Sequence, residues 1–459
     1  MRPGKGFDRN LTALGLRTVR LAAAAALLVP VAALPSPRAL AAPEILEIES
    51  DKGVRAWLVN EPSIPVISVQ IAFRGGSVTD PARKEGLANM VAGLLDEGAG
   101  DLDSAAFQER LQELAIGFSA RANKDTFRLS IRTLAEHRDE AFRMLGMALS
   151  TPRYDPRPVE RIRQQLRVVL ARDAEDPDRI ASRTWFARVF PDHPYGRPNR
   201  GTLESITAIT RDDLAAFSRN RFARDNAVIG VVGDVTPKEL QRLLDIGFGD
   251  LAETARPVEV TETMPSAEGS VTVIRKPIPQ SVVMFGLPGL KRDDPDYYAA
   301  YIMNYVLGGG GFASRLYQEV REKRGLAYSV YTYLYPYDHS AVYLGGVATV
   351  NERVGDSLDI IKAQIADVAE NGITADELER AKTFLNGSFP LQLDSNVKIA
   401  RTLVGIQLDN LGKDYIRRRP ELINAVTLED IQRIAERLLG RVDLTIVVVG
   451  DPAGVRNDG

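Results

Sequence analysis

The sequence predicts an α+β protein built from two homologous domains, each a largely antiparallel sheet covered by helices. Three observations lead to this prediction. The chain has 459 residues, which is too many for one compact core. Its two halves carry the same motifs in the same order. Short apolar segments alternate with longer helical patterns, but without the strict strand–helix–strand rhythm of a parallel sheet.

The internal duplication is the most informative of these observations. The tetrapeptide Val-Val-Gly-Asp that begins at Val231 recurs at Val448, 217 residues later. The helix start at Thr210, with an acid three residues on, recurs at the same spacing at Thr427, and both resemble a capping box. A period of this length indicates two similar domains rather than a solenoid.

Domain boundaries follow from the duplication. Residues 42–255 are predicted to form the first domain and residues 271–459 the second. Residues 256–270 are predicted to be the linker, because this segment is polar and contains Pro257 and Pro265.

Periodicity predicts the following elements within the domains. Strands are expected at Ile67–Phe73, Thr126–Ile131, Ala227–Val232 and Leu444–Val449. Helices are expected at Arg83–Leu95, Ser104–Leu114 (with Ser104 as N-cap), Tyr297–Leu307, Phe312–Glu322, Glu352–Glu370 and Thr374–Leu385.

Composition excludes several classes of function. The net charge is −3 and the basic residues are dispersed, so nucleic acid is not an expected partner. Cysteine is absent, which excludes disulfides and thiolate chemistry. The three histidines, His137, His193 and His339, are far apart in sequence, and each is interpreted as a surface or structural histidine rather than a metal ligand.

The N-terminus has the pattern of a signal peptide over residues 1–41. Basic residues precede an apolar stretch from Leu21 to Leu34, and small residues precede Ala42. Pro30 and Pro35 would interrupt a membrane-spanning helix, although an uncleaved anchor is the alternative. A bacterial periplasmic location is therefore expected, with no stable membrane span after cleavage.

The segment from Leu307 to Val330 carries the residues with the clearest chemical interest. Four consecutive glycines, Gly308, Gly309, Gly310 and Gly311, would leave backbone N–H groups open to another chain. Arg321 ends the following helix, and Tyr328 lies in the next strand. Both side chains could converge on one spot and donate hydrogen bonds to peptide carbonyls or to an oxyanion. A flexible turn, a helix-ending arginine and a core tyrosine are the alternative interpretation.

This segment resembles the C-terminal signature of the insulinase, pitrilysin and mitochondrial processing peptidase family. The resemblance rests on Ser314-Arg315-Leu316, on Arg321-Glu322-Lys323 and on Gly325-Leu326-Ala327-Tyr328. It extends over nearly the whole mature chain, through Phe73-Arg-Gly-Gly-Ser77 and His193-Pro-Tyr-Gly196. The resemblance implies that Arg321 and Tyr328 bind substrate at the zinc site of a facing domain.

The chain departs from that family at the zinc motif. Active members carry His-x-x-Glu-His, in which the histidines bind zinc and the glutamate is the general base. Here Asn89 and Gly93 occupy the histidine positions and Ala92 occupies the position of the base. The third ligand would fall near Gln165–Arg172, where no glutamate occurs. No metal or other cofactor is therefore expected in this chain.

The resemblance implies a substrate-binding, zinc-less subunit of a heteromeric periplasmic metalloendopeptidase. The expected partner is a homologous subunit that carries His-x-x-Glu-His and the zinc, and the expected substrates are peptides. The alternative is a non-proteolytic scaffold or interaction protein with the same fold. The retention of both Arg321 and Tyr328 favours the first hypothesis, because a pure scaffold does not need them.

Overall fold

The computed structural model of the protein describes residues 43–256, 258–440 and 444–458. The predicted signal peptide, residues 1–41, lies outside these ranges. None of the helices within them is long and apolar enough to cross a membrane.

Two mixed sheets form the framework of the described chain. The first has the strand order β1-β2-β6-β3-β5-β4 and the second has the order β7-β11-β8-β10-β9. The strands are β1 (Leu46–Glu49), β2 (Arg55–Asn60), β3 (Val66–Arg74), β4 (Gly117–Ala122), β5 (Thr126–Leu134), β6 (Ala227–Gly233), β7 (Ser270–Arg275), β8 (Gln280–Pro288), β9 (Ala327–Pro336), β10 (Ala341–Val350) and β11 (Thr445–Gly450).

The two sheets repeat the same topology, which confirms the predicted duplication. Strand β2 runs parallel to β6, as β7 runs parallel to β11, and the remaining neighbours are antiparallel. The register is repeated as well. Val69 of β3 lies opposite Val231, and Val283 of β8 lies opposite Val448. Strand β1 has no counterpart among the described residues of the second half.

Helices cover these sheets and account for most of the remaining described chain. They are α1 (Leu87–Leu94), α2 (Ser104–Glu113), α3 (Arg138–Ser150), α4 (Pro156–Asp173), α5 (Pro177–Val189), α6 (Leu203–Ala208), α7 (Arg211–Arg221), α8 (Pro237–Phe248), α9 (Tyr297–Asn304), α10 (Val354–Asn371), α11 (Ala375–Ser388), α12 (Asn396–Leu408), α13 (Tyr415–Asn424) and α14 (Leu428–Leu439). The predicted capping boxes at Thr210, Thr374 and Thr427 are confirmed. In each box the threonine hydroxyl accepts a hydrogen bond from the backbone N–H three residues later, and the side chain of that later residue accepts one from the backbone N–H of the threonine.

Two helix starts differ from the prediction. The N-cap of α2 is Asp103 rather than Ser104, because the Asp103 carboxylate accepts a hydrogen bond from the N–H of Ala106. Helix α1 begins at Leu87 rather than at Arg83. The buried Asp80 carboxylate accepts from the N–H groups of Gly86 and Ala88, and Gly86 has a φ of 93°, which no continuous helix allows.

Two predicted helices of the second half are interrupted. Helix α9 ends at Asn304 and continues as a π-helical segment, Tyr305–Gly309. The predicted helix Phe312–Glu322 begins as a 3₁₀ turn, Gly311–Ala313, and ends as a π-helical segment, Tyr317–Glu322. Single π-helical turns often occur at functional sites, and both flank the glycine run.

The two halves exchange one helix each. Helix α5 precedes the second half in sequence but packs on β8 and β11 of its sheet. Its counterpart α12 packs on β3 and β6 of the first sheet. Trp185 of α5 is fully buried and donates its indole N–H to the carbonyl of Thr445 at 2.9 Å. The described residues therefore form one compact unit. The division into domains 42–255 and 271–459 with a linker at 256–270 remains a prediction.

Glycines in the sheets make room for the exchanged helices. A Cβ atom on Gly286 would lie 2.6 Å from Cζ2 of Trp185, and one on Gly230 would lie 2.7 Å from the carbonyl oxygen of Ala400. Both glycines let a helix approach the strand backbone more closely than any side chain would permit.

We expect Trp185→Ala to destabilise both halves together. The substitution removes a fully buried indole, which costs about 3–5 kcal/mol in comparable cores. Because the indole belongs to the first half and its partners to the second, unfolding should remain one cooperative transition at a lower denaturant concentration. Chemical denaturation followed by circular dichroism measures this, with the exposed Phe384→Ala as the control. Two separate transitions would contradict the interlocking of the halves.

Candidate functional site

Arg321 and Tyr328 lie together at the surface of the second half. The guanidinium carbon of Arg321 is 4.7 Å from the centre of the Tyr328 ring and 4.8 Å from that of Tyr317. The guanidinium also donates a hydrogen bond to the hydroxyl of Tyr317. Contacts between a cation and aromatic rings hold it in place without neutralising it, and the one acidic side chain within 4.0 Å among the described residues is Glu322, 4.0 Å from Nε of Arg321. Tyr328 itself is 78% exposed, so the pair is open to a ligand.

A β-bulge directs Tyr328 towards Arg321. Along β9 and β10, Ser329 lies opposite Ala348, whereas Ala327 lies opposite Thr349. Tyr328 is therefore the extra residue of the bulge, and it is exposed where strict alternation would place it in the core. The sequence places arginine and tyrosine seven residues apart, but the bulge brings their side chains together.

The helix that carries Arg321 is anchored by Arg315. Its guanidinium binds both carboxylate oxygens of Glu377, at 2.7 and 2.6 Å, and one oxygen of Asp367 at 2.7 Å. Burial alone would raise the pKa of Glu377, but hydrogen bonds from Arg315 and from Thr374 lower it to about 2. The bidentate pair joins the helical segment 315–322, which we call the signature helix, to α11, and the contact with Asp367 joins it to α10.

Three of the four glycines pack against their own chain. A Cβ atom on Gly308 would lie 2.4 Å from Oγ1 of Thr332, one on Gly309 equally close to Nδ2 of Asn304, and one on Gly310 would lie 2.6 Å from the carbonyl of Tyr305. Only Gly311, with a φ of 55°, has open space around it. Close internal packing thus explains most of this run, and its contact with another chain stays a prediction.

The positions that correspond to the zinc motif do not fit a zinc ion. Asn89 donates its amide N–H to the carbonyl of Asn199 at 2.6 Å. Ala92 is buried, and a Cβ atom on Gly93 would meet Cγ2 of Ile162 at 3.2 Å. Amide and aliphatic groups are poor or impossible zinc ligands. Within residues 43–256, 258–440 and 444–458, no three histidine, cysteine or acidic side chains are grouped to hold a metal.

His193 has a structural role, as interpreted from the sequence. It is buried, its Nδ1 accepts from the N–H of Tyr195 at 3.1 Å, and its Nε2 lies 3.1 Å from the carbonyl of Thr261. One neutral tautomer satisfies both contacts. Burial lowers the pKa of His193, which keeps the ring neutral.

Sequence reasoning missed an aromatic surface on β9. Tyr331, Tyr333 and Tyr335, which we call the tyrosine row, are exposed, while Thr332 between them is buried and Leu334 is half-buried. The signal was present in the sequence, because tyrosines at every second position are typical of one face of a strand. The row leads to Tyr337, whose ring centre is 4.6 Å from that of Tyr335.

A cleft between the two halves begins where the tyrosine row ends. Its cavity has a volume of about 470 Å³ and is lined in part by Tyr337 and by two loose ion pairs. Arg74 lies 3.6 Å from Asp338, and Arg292 lies 3.5 Å from Asp409. Arg74 and Asp338 belong to different halves, and Asp409 directly follows α12, which packs on the first sheet. The cleft is therefore polar as well as aromatic.

Comparison with known proteins finds similarity to one family. Residues 208–385 match the family model described as the peptidase M16 inactive domain. The Helicobacter pylori protein named non-peptidase homolog YmxG is 27% identical over 404 residues, which are 86% of this chain and 93% of that protein. An uncharacterized zinc protease of Streptomyces coelicolor is 32% identical over 281 residues, which are 59% of this chain and 60% of that protein.

A solved structure agrees with the sequence relatives. The peptidase M16 inactive domain from Pseudomonas fluorescens superposes with a TM-score of 0.84 and 27% identity. The match covers 90% of this chain and 99% of that one. The similarity therefore includes both halves and the helix exchange region.

We expect Glu377→Gln to destabilise the protein in a pH-dependent way. The folded-state pKa of Glu377, about 2, lies below its ordinary value of 4.5, so the carboxylate stabilises the fold fully above about pH 4.5 and loses this effect as the pH falls towards 2. The variant should lose about 1.5–3 kcal/mol at pH 7 and less at pH 3. Denaturant titrations at both values measure this.

The matched control is Asp376→Asn, which breaks the exposed Asp376–Arg380 ion pair one residue away. We expect less than about 0.5 kcal/mol from it at either pH. Equal effects of the two substitutions would show that Arg315 does not anchor the signature helix.

Proposed function

We propose that this chain, whose residues 208–385 match the model of the peptidase M16 inactive domain, is the zinc-less, substrate-binding subunit of a heteromeric periplasmic metalloendopeptidase. The observation that carries this proposal is a contrast between its two halves. The Arg321–Tyr328 pair is assembled and open, whereas the positions of the zinc motif are filled by Asn89, Ala92 and Gly93.

The chemistry of the pair suits a peptide bond under attack. The Arg321 guanidinium contacts the rings of Tyr317 and Tyr328, so its position is partly fixed before a ligand binds and less rotamer entropy is lost on binding. The Tyr328 hydroxyl has no hydrogen-bond partner within the described chain. Together they can hold a peptide carbonyl and donate to the oxyanion that forms on it. Neither can supply the attacking water or a general base.

A catalytic partner must supply what this chain lacks. We infer a homologous subunit with His-x-x-Glu-His, which would provide the zinc and the general base. The expected substrates are peptides, which Arg321 and Tyr328 would position in the partner's site. The signal peptide expected over residues 1–41 supports assembly in the periplasm.

A non-proteolytic scaffold is the second candidate function. The name of the Helicobacter pylori relative, a non-peptidase homolog, favours it. The exposed and aligned Arg321–Tyr328 pair argues for the peptidase subunit, because a scaffold has no physical need to keep a cation and a phenol open to solvent. Turnover with the partner separates the two functions.

We expect Arg321→Ala and Tyr328→Phe each to lower peptide turnover by about two to three orders of magnitude in a mixture with the zinc-motif homologue. The loss of one oxyanion donor costs about 2.7–4 kcal/mol of transition-state stabilisation. Tyr328→Phe keeps the ring that stacks on Arg321 and removes only the hydroxyl, so it isolates the hydrogen bond. Fluorogenic peptide hydrolysis measures turnover, and the zinc content of each purified subunit shows which one holds the metal.

The control is Tyr301→Phe, which removes a partly buried hydroxyl of α9 outside the pair. It should leave turnover unchanged. If the mixture hydrolyses peptide no faster than the homologue alone, or if both site variants behave as the unaltered chain, the scaffold becomes the better proposal.

A further inference from the structure

The tyrosine row is an aromatic surface whose ring centres are evenly spaced. Tyr331, Tyr333 and Tyr335 are 46%, 36% and 40% exposed. Their ring centres are separated by 6.0 and 6.1 Å. None of the three hydroxyls has a hydrogen-bond partner within the described chain. The row thus offers both flat apolar faces and unused hydrogen-bonding groups along about half of β9.

The row has the two-residue repeat of an extended chain. In an extended peptide, side chains on one face also repeat every two residues, or about 6.6–6.8 Å. The ring spacings of 6.0 and 6.1 Å lie between this value and the roughly 5.4 Å pitch of a helix, so the shared two-residue repeat along a strand, rather than the distance, favours an extended ligand. A peptide lying along β9 could therefore place one side chain between each pair of rings.

An uncompensated positive charge lies beside the row. Arg121 of β4 and Arg128 of β5 are directly opposite each other in the first sheet. Neither lies within 4 Å of an acidic side chain in the part of the chain that the structure describes. Like charges in such a cross-strand pair are destabilising. We call Arg121 and Arg128 the arginine pair.

Other charged groups near the arginine pair do not neutralise it. Burial lowers the pKa of Arg128, and the charge of Arg121 lowers it further. Arg401 of α12 adds a third positive charge nearby, while Asp409 is the acid that acts on Arg128 and is shared with Arg292. An anion bound here would relieve a repulsion that the fold leaves in place.

The arginine pair and the tyrosine row lie close to the place where the two halves touch. Arg74, which lies opposite Thr126 of β5, is 3.6 Å from Asp338, and the N–H of Asp338 donates to the carboxylate of Asp125 at 3.2 Å. Arg128 follows Thr126 by two residues, and Tyr335 precedes Asp338 by three. At the other end of β9, the strand reaches Tyr328 and Arg321. The distance from Tyr335 to Tyr328 is seven residues of strand, roughly 23 Å.

We propose that the tyrosine row and the arginine pair form a docking groove for an acidic peptide in extended conformation. The groove leads the peptide along β9 to Arg321 and Tyr328. It rests on the proposed function, because it assigns a substrate class to a chain that holds peptide for a partner. The tyrosines contact alternate side chains, and the arginine pair binds a carboxylate at the far end.

Binding to the purified chain without its partner tests the groove. The probe is a fluorescein-labelled peptide of about ten residues, roughly 33 Å when extended, with phenylalanine alternating with serine and glutamates at both ends. A counterpart carries lysines in place of the glutamates. We expect the acidic peptide to bind at least about tenfold more tightly at low salt, with the difference reduced at high salt.

Substitutions in the groove should weaken peptide binding, and the substitution in the arginine pair should do so selectively for the acidic peptide. Arg128→Gln should weaken it by about tenfold, and its effect on folding should be neutral or stabilising because it removes a like-charge contact. Tyr333→Ala should weaken both peptides by about tenfold, whereas Tyr333→Phe retains most of the binding. Fluorescence anisotropy gives the affinities, and thermal denaturation confirms that each variant is folded.

Two matched controls lie outside the groove. Arg456→Gln makes the same change of charge next to residues that bind β7, at the opposite edge of the second sheet. Phe384→Ala removes an exposed aromatic ring from α11. Neither should alter peptide affinity. The proposal is wrong if Arg128→Gln has no more effect than Arg456→Gln, or if an oligonucleotide of equal charge competes as well as the acidic peptide.

Failure of the groove and failure of the proposed function give different results. If the chain binds acidic peptide through Arg128 and Tyr333 but the mixture with the partner does not hydrolyse peptide, the docking groove is supported and the peptidase role is wrong. If turnover depends on Arg321 and Tyr328 but substitutions of Arg128 and Tyr333 leave peptide affinity unchanged, the docking groove is wrong. Loss of a dimer in Tyr333→Ala, seen by size-exclusion chromatography, would assign the row to a second copy and also overturn the groove.

Discussion

The reciprocal exchange of α5 and α12 is the packing constraint on which the rest of the structure depends. Each helix leaves the half in which its sequence lies and covers the sheet of the other half. Trp185 and the glycines at positions 230 and 286 make this close packing possible. Since each sheet lacks one layer without the opposite helix, neither half can bury its apolar face alone.

The exchange also determines which surfaces face each other. Helix α12 packs on β3 and β6, and α5 packs on β8 and β11, so neither exchanged helix packs extensively on β4, β5 or β9. The arginine pair belongs to the first sheet and the tyrosine row to the second, and the Arg74–Asp338 contact joins the two regions. A duplicated fold thus creates an unsymmetrical cleft, because the two equivalent edges carry different side chains.

The residues at the zinc-motif positions and the Arg321–Tyr328 pair differ in how the fold holds them. Asn89, Ala92 and Gly93 are engaged in ordinary packing and one amide hydrogen bond, so the first half has no strained or unpaired ligand at these positions. Arg321 and Tyr328, by contrast, are held by stacking, by a bulge and by the Arg315–Glu377 anchor, yet remain open. Order around an exposed pair is what a binding site requires.

The sequence by itself determined the α+β class, the duplication, the capping boxes and the absence of zinc ligands, since each depends on local pattern or residue type. It did not reveal the helix exchange, the β-bulge at Tyr328, the π-helical turns or the contact of Arg74 with Asp338 between the halves. These depend on contacts between residues far apart in the chain, where packing of one element decides the geometry of another. The apolar periodicity of a helix is the same whichever sheet it covers. Only the tertiary structure could therefore decide whether α5 and α12 cover the sheet of their own half or that of the other half.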